Sequence, residues 1–126
     1  MSMRYFVSMV AALLCWPVFA QSPNPYNGSW AASFDGNKTA DVEGTVVVND
    51  DGGTWKFLAR DRKNPCVGRE APIAVISASA DQLVFEVNRS KVLTGCKDFT
   101  MKFKKIDDRT LSGQTSEGRV ISLIRQ

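Results

Sequence analysis

Apolar and polar residues alternate along most of this chain, and turn-forming residues interrupt the alternation at short intervals. Trp30, Ala32 and Phe34 share one face of a run at 29–34. A valine-rich run follows at 40–48, with Gly44 inside it, and Trp55, Phe57 and Ala59 share a face over 54–59. Ile73 and Val75 align within 72–79. Leu83, Phe85 and Val87 point one way over 83–87 while Glu86 points the other. Over 99–106, Phe99, Met101 and Phe103 alternate with Thr100, Lys102 and Lys104; shorter runs follow at 110–115 and 120–125. A period of two is the signature of a half-buried strand, and no stretch carries apolar residues at helical spacing over three turns.

The interruptions are turn chemistry: Asp35-Gly36-Asn37, the segment 49–53, Ala80-Asp81, Asp107-Asp108 and Ser116-Glu117-Gly118. Gly44 predicts a bulge or sharp bend within its strand. The pattern therefore predicts an all-β fold, an eight-stranded antiparallel meander. Its dry face is hidden either by closure into a small β-barrel or by folding into a two-sheet β-sandwich. A barrel of eight strands has an interior that side chains fill or that holds one small ligand. Trp30, Trp55, Phe57, Phe85 and Phe103 are its expected interior residues.

The ends of the chain change the picture. Arg4, the apolar run 5–16, Pro17 and Val18-Phe19-Ala20 form the pattern of a cleaved secretory signal over 1–20. The apolar run is shorter than the ~20 residues a membrane-spanning helix needs. A flexible leader over 21–27 and one domain over 28–126 are expected to follow, in the periplasm or outside the cell. Cys15 falls within the signal, which leaves Cys66 and Cys96. Two cysteines in a small exported domain predict a disulfide; the alternative is a pair of buried free thiols.

Composition narrows the chemistry. The net charge is +3, with Arg4 in the segment expected to be removed, so the domain is near neutral and lacks the basic excess of a nucleic-acid binder. The chain has no His, which removes the commonest general base and metal ligand and rules out Ser-His and Cys-His nucleophile pairs. Asp50-Asp51 and Asp107-Asp108 read as turn residues rather than paired catalytic carboxylates, and Asp41 with Glu43 as a wet strand face.

Gly28-Ser29-Trp30, opening the first strand, resembles the G-x-W opening of lipocalins and avidin-like barrels of the calycin type. That resemblance implies a barrel whose one end is plugged by Trp30, and implies no ligand. The stretch from Trp55 to Cys66, Val67-Gly68-Arg69-Glu70 and the closing residues 119–126 resemble a group of small exported proteobacterial proteins, which implies export. Size, barrel and disulfide are also similar to small periplasmic lysozyme inhibitors, whose inhibitory loop carries Ser-Gly-x-x-Tyr. Ser112-Gly113 matches the first half of that signature, and Ser116 stands where the Tyr belongs.

If Cys66 and Cys96 are joined, two irregular segments meet at one rim. One brings Arg60, Arg62, Lys63 and Arg69, the other Arg89, Lys91 and Lys97, offset by Asp61, Glu70 and Asp98. Such a rim suits a carboxylate, a phosphate or an acidic protein surface; the alternative is a solvated loop pair held for structure. The expected function is an exported binding module without catalytic activity, recognising a partner protein or an anionic ligand through these loops. One alternative is a carrier with an interior pocket lined by Trp30, Trp55 and Phe103, another a periplasmic enzyme inhibitor. A monomer is expected, with no cofactor, metal or nucleic acid.

Overall fold

The computed structural model describes residues 23–34, 43–58 and 64–126. Eight strands form one closed antiparallel barrel in simple meander order: β1 (Gly28–Phe34), β2 (Gly44–Asn49), β3 (Gly52–Phe57), β4 (Ala71–Ala78), β5 (Gln82–Val87), β6 (Phe99–Asp107), β7 (Thr110–Gln114) and β8 (Val120–Arg125). Closure is made by β8 pairing back onto β1, with Trp30 opposite Arg125 and Phe34 opposite Ile121. The barrel, not the sandwich, is the solution the alternation found. Ala59 lies outside the described residues, as does the expected start of the second strand at Ala40.

Inward positions on every strand are buried, and their side chains fill the middle of the barrel. Val46, Leu83, Phe85, Phe103, Leu111 and Leu123 all lose their solvent contact there. The Phe85 and Phe103 rings stack at 5.5 Å. Two inward positions admit no side chain at all. Gly44 sits opposite Phe57 and Gly113 opposite Phe103, and a Cβ at either would come within 2.8 Å of the facing ring. Gly44 therefore does not mark the expected bulge. It starts β2 in regular register, and its reason is ring contact across the pair. The register shifts fall instead between Val75 and Ser77 on β4 and between Lys105 and Asp107 on β6, where an extra residue tightens the strand's twist.

One end of the barrel is closed by the segment before β1. The expected flexible leader is, over 23–27, packed in place. Tyr26 is buried and its hydroxyl donates to the Ser79 carbonyl at 2.6 Å. Trp30 Nε1 donates to the Tyr26 carbonyl. Arg125 donates to the carbonyls of Asn27 and Pro25 at 2.6 and 2.9 Å while its guanidinium stands 4.3 Å over the Trp30 ring. Asp50, in the β2–β3 turn with φ of +54°, is held by the side chains of Asn24 and Asn27. The turn reading of Asp50 is thus structural in detail: a short polar side chain tolerates that backbone and fixes the turn to the leader.

Arg125 carries two charge-assisted hydrogen bonds and one ring contact, so Arg125→Ala is expected to cost about 2–3 kcal/mol. The expected result is a lowered urea midpoint together with protease cleavage newly appearing at 23–27.

Candidate functional site

The opposite end is built differently. The C-terminal ends of β1, β3, β5 and β7 all lie there, and the described stretches 64–70 and 88–98 are tied by the Cys66–Cys96 disulfide. Both irregular segments of the sequence therefore meet at one rim, as expected. The bridge also marks a protein made for an oxidising, non-cytoplasmic compartment. No helix among the described residues is long and apolar enough to cross a membrane.

Inside this rim the side-chain filling stops short and leaves a cup of about 430 Å³. Its wall is a run of rings. Phe34 meets Phe57 at 5.5 Å, Phe57 stacks on Trp55 at 4.4 Å, and Trp55 meets Phe99 edge-on at 5.5 Å. Met101 and Ile121 contribute from the barrel wall, Val67 and Leu58 from the mouth. The rings come from the rim ends of β1, β3 and β6, where inward alternation still holds.

The cup's polar groups are few. Trp55 is 3% exposed and its Nε1–H has no hydrogen-bond partner, the one buried side-chain nitrogen or oxygen among the described residues in that condition. A buried donor left unpaired costs about 1–3 kcal/mol. Arg89 is half-buried with its guanidinium 4.7 Å over the Phe99 ring. It has no carboxylate partner among the described residues, and burial pulls its pKa below the ordinary value. Arg119 stands 4.1 Å over Phe34; it and Glu43 are each engaged by neighbours. Glu43 thus lines the cup rather than a wet strand face.

Arg89 is presented by a single turn of 3₁₀ helix, Arg89–Lys91, bracketed from across the loop by Asp98. The Asp98 carboxylate accepts from the Ser90 backbone N–H at 2.9 Å and from its hydroxyl at 2.8 Å. First that backbone bond and then the hydroxyl bond hold Asp98 below the usual carboxylate range. Asp107 is lowered in the same way by the Arg109 N–H, which makes it a turn residue as read.

The predicted site residues divide sharply. Trp55 and Phe57 wall the cup. Trp30 is buried at the far end of the barrel, and Phe103 is sealed in its middle, so the expected carrier pocket of Trp30, Trp55 and Phe103 does not exist. Arg69, Lys91 and Lys97 are exposed and do not line the cup; Arg69 Nε reaches only the Pro65 carbonyl. Arg60, Arg62 and Lys63 lie outside the described residues, as does Asp41. Ser112-Gly113, matched to an inhibitory loop, lies within β7, where Gly113 serves the Phe103 ring. Arg119 was not singled out by the sequence, because nothing local links a residue after a Ser-Glu-Gly turn to a ring on the first strand. A second groove, of about 460 Å³, runs along the outer wall between Lys102, Lys104 and Gln114, and no buried polar group there lacks a partner.

Comparison of the chain with protein-family models, with curated proteins and with solved structures finds no match.

The disulfide closes a loop with a sequence separation of 30. Replacing both cysteines by Ser is expected to cost about 3–4 kcal/mol, read as a fall in denaturant midpoint. Asp98 supplies a pH dependence. Its folded-state value lies below its unfolded one, so the bracket contributes fully above the ordinary carboxylate value. It is lost as pH falls through the depressed one. Carboxyl-detected NMR is expected to show Asp98 titrating below an ordinary Asp, with the Ser90 amide losing exchange protection in step. An ordinary Asp98 value would refute the bracket.

Proposed function

We propose that this protein is an exported, non-catalytic carrier or sensor of a small molecule, which it holds in the cup at the disulfide-bonded end of the barrel, in the periplasm or outside the cell. The observation that supports this most directly is the cup itself. Its volume is in the range of small-ligand sites, and its wall is mostly ring and aliphatic surface with a few polar groups, the usual make-up of such sites. A barrel that needed only to be stable would gain from filling that space, since packed apolar contacts are what hold a domain of this size together. Export is supported by the signal-like residues 1–20 and by the bridge. The non-catalytic reading is supported by a chain without His and by acidic pairs committed to turns.

The reading is tested with N-phenyl-1-naphthylamine, a neutral probe whose fluorescence rises in apolar surroundings. The disulfide-bonded protein is expected to bind one equivalent and to quench Trp55. Val67→Trp narrows the mouth without touching a strand and is expected to weaken binding at least about tenfold. Lys104→Gln, in the outer groove, is expected to leave it unchanged. Absence of one-to-one binding, or weakening by the outer substitution alone, would remove the cup as the site.

A further inference from the structure

Two features of the cup are unexplained by an apolar occupant. One is the buried Trp55 Nε1–H without an acceptor. The other is Arg89, a half-buried guanidinium held over a ring with no carboxylate beside it. They flank the same residue: the Trp55 indole meets Phe99 edge-on and the Arg89 guanidinium lies over it. A neutral hydrocarbon would leave the already buried donor unpaired and would desolvate the cation further, which opposes binding. An anion reverses both. Guanidinium favours oxyanions because its planar fork of N–H groups matches their geometry, and the bond strengthens as water is excluded.

Resting on the cup as the binding site, we infer that its ligand is a small amphipathic anion. The apolar, ring-bearing body lies among Phe34, Trp55, Phe57 and Phe99. A carboxylate or similar oxyanion meets Arg89, and an oxygen acceptor takes the Trp55 Nε1–H. The other charged lining groups do not supply this role. Glu43 and Arg119 are engaged by neighbours, and Glu117 sits in the exposed β7–β8 turn with the wrong sign. Phe99 fixes where the anion sits, because it is the common neighbour of both donors. Asp98, next in the chain, is turned to Ser90 rather than to Arg89, which keeps its negative charge out of the mouth.

The test uses two probes with one aromatic body: N-phenyl-1-naphthylamine and 1-anilinonaphthalene-8-sulfonate, which adds only the sulfonate. The sulfonate is expected to bind about tenfold to hundredfold tighter, the worth of one hydrogen bond to a charged group. Arg89→Gln is expected to abolish that preference, and one-to-one binding of the neutral probe to the variant shows that it is folded. Lys91→Gln, one residue beyond Ser90 and outside the cup, is expected to keep it. In ¹⁵N NMR the Trp55 indole N–H resonance, identified by its loss in Trp55→Phe, is expected to move downfield with the sulfonate while that of Trp30 stays. Equal affinities for the two probes, a preference that survives Arg89→Gln, or an unmoved Trp55 indole would overturn the inference. In each of those cases binding of the neutral probe would leave the cup itself standing, whereas failure of both probes would remove cup and inference together.

Discussion

Closure of β8 onto β1 is the constraint from which the other features follow. Once the last strand pairs with the first, no sheet edge is left open, and every inward residue must fit one cylinder. The fit is achieved by alternating bulk. Phe57 faces Gly44 and Phe103 faces Gly113 across their strand pairs, so a ring takes the volume that two side chains would otherwise contest. Ala32 and Ala71 are fully buried for the same reason. The middle of the barrel is accordingly a packed core and not a channel.

The two ends of the cylinder are finished by different chemistry. At one end, short hairpin turns and the chain before β1 make a lid, with Tyr26 and Trp30 beneath it and Arg125 bonding its carbonyls from the last strand. First and last strands are therefore joined twice, by the β ladder and by that guanidinium. At the other end a covalent bridge ties two of the connections. Among the described residues the rings Phe34, Trp55, Phe57 and Phe99 line the cup at this end.

Electrostatics follow that geometry. Arg119 and Arg89 each stand over a ring at the mouth, an arrangement that partly dehydrates a guanidinium while compensating it through the ring's negative face. Asp98 does not neutralise Arg89, because its two oxygens are committed to Ser90. The outcome is a cation positioned by a turn over Phe99, and an unpaired indole donor on the ring that Phe99 meets edge-on, at the rim of an apolar cavity. An unpaired buried donor and an unfilled cavity do not improve the fold's own stability, which is why they carry the functional reading.

The sequence by itself determined the strands, because a period of two is a local property. Leu83, Phe85 and Val87, or Phe99, Met101 and Phe103, declare their faces without reference to any other strand. It determined the bridge too, through the count and placement of Cys66 and Cys96. What it could not determine is anything set by distance across the barrel. Gly44 reads locally as a bend, yet its role is to admit a ring from the neighbouring strand. Trp30, Trp55 and Phe103 read as equivalent interior aromatics, but one plugs an end, one walls a cup and one is sealed in the middle, according to height along an axis that only closure creates. The cationic loops read as a charged rim, while burial singles out Arg89, because only the folded chain brings Phe99 beneath its guanidinium and leaves the Trp55 N–H unpaired.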